Sequence, residues 1–390
     1  KKSVIMRVTL LNVTAAALLL VGAQVYAQQT ETITTSNTTP TEATKPEIEL
    51  EKLTEAERTA LVFQTITSGD TNALKPLLRS LTYYRHNEAG ETALTQAIIN
   101  DDAAMVQVLV RDAVINLKNK AGETPLTLSL KKGNPEIIQM VVRRAKASLR
   151  NDQGEAPLML TIERFDDLFL LQTLIDKGAD VNRLTNGITP IARATAKNDV
   201  QTVALLLRNG ADPSIPSTKG ELPLLTAVQN NYDVIAGILL HKSTQPAEDA
   251  NWKTQIGETL LNIAAAQGNT RIVSILLEYG ADPAAVDYLE NTALHIAAEN
   301  GYTDMARRLI EKGAPADQMN IMGTTPIMAA AQNQHEALAE LFAEQGADAE
   351  RRNFAGVAAS DYGSYAVRAS IEAEYEELAN SQPQSESQKK

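Results

Sequence analysis

One five-residue word returns along this chain at an almost constant interval, and it limits the fold more than any other feature. It reads GETAL at Gly90, GETPL at Gly122, GEAPL at Gly154, GITPI at Gly187, GELPL at Gly220, GETLL at Gly257, ENTAL at Glu290, GTTPI at Gly323 and GVAAS at Gly356. The spacings are 32, 32, 33, 33, 37, 33, 33 and 33 residues. Units of this length cannot bury their own apolar faces, so they must stack in file. Two further marks keep the same phase. One is Gly178-Ala179-Asp180-Val181-Asn182, with GADP at Gly210 and Gly280, GAPAD at Gly313 and GADAE at Gly346; the other is Gly-Asn at Gly133 and Gly268, with Gly-Tyr at Gly301.

The residues explain the marks. A threonine heading each word accepts a backbone N–H as an N-cap, and the following proline suits the first helical position, where its missing donor costs nothing. Leu261, Ala264 and Ala265 recur at helical spacing, and Ile272, Ile275 and Leu276 repeat it after Gly268-Asn269. Each unit is thus expected to hold two short helices. Gly268 or Gly301 supplies the left-handed residue that ends the first, and Gly178, Gly210, Gly280, Gly313 and Gly346 do so for the second. An upstream unit is expected around Thr59-Ala60-Leu61, 33 residues before Thr92-Ala93-Leu94, with Leu74, Leu77 and Leu78 in its second helix.

On these words the sequence resembles the ankyrin-repeat family from about Leu53 to Leu378. The resemblance implies an all-α solenoid of about ten units including caps. It also implies a hairpin-like finger between each GAD word and the next threonine, and an extended concave surface of fingers and first helices that binds another protein. His295 stands at the histidine of the family's TPLH word, which implies a hydrogen bond between repeats. His86, His241 and His335 fall elsewhere in the framework.

Composition narrows the chemistry. There is no cysteine, which removes disulfide scaffolds and thiolate zinc sites. The formal charge of −12 disfavours nucleic acid as a partner. No G-x-S-x-G elbow or phosphate-binding loop is present, and His335-Glu336 is followed by Ala339 where a zincin needs its second histidine. No catalytic, cofactor-binding or metal-ligating set is expected, and the chain reads as a non-enzyme.

Residues 1–27 read as a signal peptide: Lys1, Lys2 and Arg7, then an apolar run to about Ala23, then Val25-Tyr26-Ala27 as the cleavage site. Cleavage removes three positive charges, taking −12 to −15, and leaves no membrane span. Residues 28–50 read as a Thr-rich disordered linker, 51–380 as the solenoid and 381–390 as a disordered tail.

Departures from the period suggest where a partner binds. The 37-residue interval places four extra residues in HKSTQPAEDANWKTQIG, which holds the sole tryptophan. Trp252 is either a finger anchor or a cover for a helix end that lacks its GAD word. Residues 111–150 carry nine basic against three acidic side chains, a local +6, read as a docking surface for an acidic partner or as a solvated helix face. Ala156 and Leu222 stand where a capping threonine belongs, and Phe165 replaces a turn glycine, through drift or as a softer middle that opens for a partner.

The expected partner-binding residues are Trp252, Arg143, Arg144, Lys146 and Arg150, with Lys118, Lys120, Arg183 and Tyr288 on fingers. The expected function is a periplasmic or secreted protein-interaction module that supports an envelope enzyme. A toxin-neutralising protein of the same compartment and an architectural spacer are the alternatives. Oligomeric state is not legible.

Overall fold

The structure, a computed structural model, describes residues 53–78, 85–110 and 114–362. The expected signal peptide, linker and tail, Arg111 and residues 363–380 of the expected solenoid lie outside them. From Thr54 onward the described residues form one compact unit.

The helices come in pairs. In chain order they are Glu55–Ser68 with Thr71–Leu77, Ala93–Ile99 with Ala103–Leu109, Pro125–Lys132 with Pro135–Val142, and Pro157–Arg164 with Leu168–Asp176. Then come Pro190–Ala196 with Val200–Arg208, Pro223–Gln229 with Asp233–Lys242, Leu260–Ala266 with Thr270–Glu278, and Ala293–Asn300 with Thr303–Glu311. Pro326–Gln332 with Glu336–Glu344 follows, and Ala359–Tyr362 opens the last unit. First helices pack on first helices and second on second, so the pairs stack as two layers. Extended structure among the described residues is limited to isolated bridges such as Lys253 with Thr259 and Val286 with Thr292. The fold is the all-α ankyrin solenoid that the period implies.

Local chemistry starts most of the first helices as expected. Thr92, Thr124, Thr189, Thr259 and Thr292 are extended N-caps whose side chains accept the N–H three residues on. Pro125, Pro190 and Pro326 take the first turn. Ala156 and Leu222 adopt the same extended conformation without a side-chain cap bond. Supplying the missing hydroxyl with Ala156→Thr is expected to raise stability by about 0.5–2 kcal/mol. Urea denaturation checks this, and an unchanged midpoint would contradict it.

The core lies between the layers. Leu261, Ala264 and Ala265 are buried, and so are Ile272 and Leu276. Val273, not Ile275, completes the buried face of that second helix, while Ile275 is half-buried. The first unit also departs from expectation. Its helix starts at Glu55, because Thr54 and Glu57 form a reciprocal capping box ahead of Thr59. Thr59 lies inside the helix and bonds back to the Glu55 carbonyl at 2.9 Å.

The four extra residues do not lengthen a finger. They fold as a short helix, Pro246–Ala250, packed against Asp233–Lys242. The buried Asp249 carboxylate holds it in place by accepting the hydroxyls of Ser214 at 2.7 Å and Ser243 at 2.5 Å. Pro246 at the helix start and Glu248 and Asp249 in its first turn favour this locally.

Candidate protein-binding surface

Each finger is a closed turn. In the third unit the Asn119 N–H donates to the Glu123 carbonyl at 3.0 Å and the Gly122 N–H to the Asn119 carbonyl at 2.9 Å. Asn119 Oδ1 accepts the Glu123 N–H at 2.8 Å. The same side-chain closure recurs at Asn87, Asn151, Thr254, Asp287, Asn320 and Asn353. Gly122 sits at φ +79°, the left-handed conformation that closes the turn and that glycine adopts most readily, although Glu290 takes the equivalent place at φ +59°. The finger at Thr185–Ile188 is tighter, with Asn186 and Gly187 both at positive φ, as a type I′ turn requires.

Neighbouring fingers are tied through the backbone. The Lys120 N–H donates to the Gly90 carbonyl at 2.8 Å, Asp152 to Gly122 at 3.0 Å and Thr218 to Gly187 at 2.8 Å. Ile321 donates to Leu289 at 3.1 Å and Phe354 to Met322 at 3.2 Å. A partner therefore meets a row in which five neighbouring pairs of fingers are held by main-chain bonds, which reduces the ordering cost of binding.

Side chains add a second set of ties. The residue just before a finger reaches the carbonyl of its counterpart one unit on: His86 to Lys118 at 2.9 Å, Arg150 to Leu184 at 2.7 Å and Lys253 to Val286 at 3.1 Å. His295 joins the eighth and ninth units. Its Nδ1 accepts the Thr292 N–H at 3.1 Å, which leaves Nε2 to carry the proton and donate to the Thr324 carbonyl at 3.1 Å. This is the inter-repeat bond implied for it. Burial holds the imidazole below its ordinary value of 6.5, against the bonds to Thr324 and Gln318 that favour the charged form.

The sign of the linkage follows. A histidine that folding makes harder to protonate contributes its full stability above the unfolded value near 6.5 and loses it as the pH falls through the lowered folded value. Between pH 7.5 and 5 the chain is thus expected to lose more stability than His295→Gln does, as read by urea midpoints. Equal losses would contradict it.

The basic segment divides. Lys118 Nζ lies 2.6 Å from the Asp152 carboxylate. Lys131, from the first-helix layer, meets Glu123 at 2.7 Å and also Glu155. Burial pulls the Lys131 ammonium down, and the two carboxylates more than offset it, so its proton is held more tightly than usual. Glu155 is held below the carboxylate range: burial raises it, but Lys131 and Asn151 outweigh that. Of the nine basic side chains behind the local +6, Lys118 and Lys131 are thus paired with carboxylates of their own or the next unit.

Arg143, Arg144 and Lys146 follow the second helix Pro135–Val142 and are exposed outside the finger row. The Arg143 carbonyl accepts Lys177 Nζ at 2.7 Å, and the Lys146 N–H donates to Asn116 Oδ1 at 2.9 Å. Arg150 and Arg183 lie near enough for Arg183 to disfavour the charge on Arg150, after burial, which is the larger effect. Lys120 and Tyr288 occupy fingertips and are exposed. Trp252 is half-buried at a finger base, its N–H donating to the Asp249 carbonyl at 3.2 Å. The nine expected residues thus fall in three places, and only Lys118, Lys120, Arg150, Arg183 and Tyr288 belong to the finger row.

The sequence reading missed two groups. The asparagines that close five of the fingers stand three residues before the finger glycine, a regular spacing in the sequence. The apolar tips of the last fingers, Ile256, Leu289, Ile321, Met322 and Phe354, stand one or two residues before the same position.

The family model for ankyrin repeats (3 copies) matches residues 62–153, 97–185, 158–251, 191–287 and 261–353. The chain belongs to the ankyrin-repeat family. Within it, this ankyrin-repeat chain is similar to alpha-latrotoxin-Lg1a of Latrodectus geometricus, 36% identical over 111 residues, covering 28% of this chain and 8% of the toxin. It is also similar to human transient receptor potential cation channel subfamily A member 1, 35% over 98 residues, covering 25% and 8%. Human ankyrin repeat and SOCS box protein 3 matches at 30% over 102 residues, covering 26% and 20%. The matched segment spans a fifth of these relatives' length or less. Ankyrin repeats are generally protein–protein interaction modules, and among the described residues no helix is long and apolar enough to cross a membrane.

Proposed function

We propose that this chain is a non-enzymatic protein-binding module that works in the periplasm and docks an envelope enzyme on its fingers and first-helix face. The observation that carries the binding reading is the finger row: a series of turns, five neighbouring pairs of them joined by main-chain bonds, that presents exposed side chains about one repeat apart. Residues 1–27, a basic start followed by an apolar run and a small-x-small end, support export.

Photo-crosslinking residues introduced at Lys120 and Arg183 test the binding reading, with the same probe at Lys312 on the second-helix layer as the contrast. The finger positions are expected to cross-link a protein in the envelope fraction and the contrast position is not. Chain recovered intact with no protein attached at any finger overturns it. The mass of the purified protein tests export. An N-terminus at Gln28 is expected, and an intact leader in the mature protein overturns that part.

A further inference from the structure

The fingertips change character along the row. In the earlier fingers the two tip positions carry Glu88, Lys120, Asp152, Thr218 and Lys219 among others. In the last four they carry Ile256, Tyr288, Leu289, Ile321, Met322 and Phe354. Among the described residues nine large apolar side chains are exposed, and these six are the majority of them. Phe354 is 76% exposed, Ile256 64%, and Tyr288 and Met322 63% each. Scattered exposed leucines are ordinary, but a contiguous run confined to one end of the row is not.

These side chains are neighbours. Ile321 is bonded through its N–H to Leu289, and Phe354 to Met322. A Cβ placed on Gly257 would lie 3.9 Å from the Tyr288 backbone N, which brings the seventh finger against the eighth. The six form an apolar ridge whose last three fingers are joined through the backbone and need little ordering on binding.

Charge around the ridge is one-sided. Residues 252–258, 282–291, 315–324 and 348–357 hold three basic and seven acidic side chains, a difference of −4. Arg351 pairs with Asp317 at 2.8 Å and Arg352 with Asp361 at 3.0 Å, while Lys253 is bonded to the Val286 carbonyl. Asp282 and Glu290 are exposed on the eighth finger, beside Tyr288 and Leu289. A second copy seated face to face would oppose acid to acid, and an anionic bilayer would be repelled. A strip that joins apolar side chains to lysine or arginine fits both features.

Resting on the protein-binding reading and sharpening it, we infer that the tips of the last four fingers are the docking site for a partner segment that is apolar and basic. The acidic surround steers it, and the aromatic and aliphatic tips hold it.

Selection of a random-peptide phage library on the full chain tests this, alongside a variant carrying Tyr288→Ser, Ile321→Ser, Met322→Ser and Phe354→Ser. Enriched peptides are expected to combine aromatic or aliphatic residues with lysine or arginine. Their affinity is expected to fall about a hundredfold on the tip variant, the scale on which a few anchors carry an interface. The single variants Phe354→Ser and Tyr288→Ser, each expected to cost about tenfold, serve if the combined variant melts early. Glu290→Gln with Asp282→Asn is expected to weaken binding severalfold and flatten its salt dependence.

Several results overturn the inference. They are selection of acidic peptides, equal binding to the tip variants, and self-association of the native chain that the tip variant abolishes in ultracentrifugation. Co-sedimentation with phosphatidylcholine vesicles that depends on the tips is another. Peptides lost on Lys120→Glu with Arg183→Glu, but not on the tip variant, overturn this site and leave the finger-row reading standing. No selected peptide and no finger cross-link overturn both.

Discussion

Phe342→Ala is expected to cost about 3–5 kcal/mol and to separate the unfolding of the last units from that of the rest. Phe342 is the largest fully buried side chain among the described residues and belongs to the second helix of the ninth unit. Truncating it removes its apolar contacts and leaves a cavity between the two layers that the stacked neighbours fill only in part. Because stability in a stack is a sum of unit and nearest-neighbour terms, the damage stays local in origin. The chain holds one tryptophan, Trp252, between the sixth and seventh units, and it reports on that region alone. In urea, helical circular dichroism is expected to begin falling before tryptophan fluorescence changes. A single coincident transition at the native midpoint would show that the account of the core is wrong.

The second large effect is expected from Gly323→Val. Gly323 sits at φ +72°, and an added Cβ would come within 2.9 Å of the Phe354 backbone N on the next finger. A non-glycine residue held in the left-handed region costs about 1–3 kcal/mol, more for a β-branched one, and here the neighbouring finger must also move. Gly346→Val separates the two contributions, since φ is +80° there and no atom lies within 4 Å of the added Cβ. Melting temperatures are expected to fall for both and further for Gly323→Val, which alone is expected to weaken a ligand held by Phe354 and Met322. Equal falls would mean that the close approach between fingers is not a constraint.

The fold was legible because its signals are local and repeated. A threonine cap, a proline in the first turn and a glycine at the end each act within a few residues, and the period multiplied them until Ala156 and Leu222 stood out as exceptions. Where a competing local signal was stronger, the period misled: the Thr54 and Glu57 capping box starts the first helix ahead of Thr59. The short helix Pro246–Ala250 was hidden because an insertion was assigned to the loop beside it, although Pro246, Glu248 and Asp249 carried a helix start.

The site was legible only in part, for a different reason. The order of charges along the chain differs from their order on the surface, because a stack brings together residues about one unit apart. Lys118 finds Asp152 34 residues on and Lys131 finds Glu155, so a basic stretch does not carry over charge for charge to the surface, while Arg143, Arg144 and Lys146 stay exposed. The apolar tips escaped because only one or two fall in any local window. Their common feature is their phase against the finger glycine, and only Tyr288 was singled out.

The ties between units run between near neighbours: His86 to Lys118, Arg150 to Leu184, His295 to Thr324. Among the described residues these ties wait on no distant part of the polypeptide, and no cysteine has to find its mate. Folding of such a chain can therefore advance from one end as it leaves a ribosome or a narrow pore, each newly freed pair settling on the one before it.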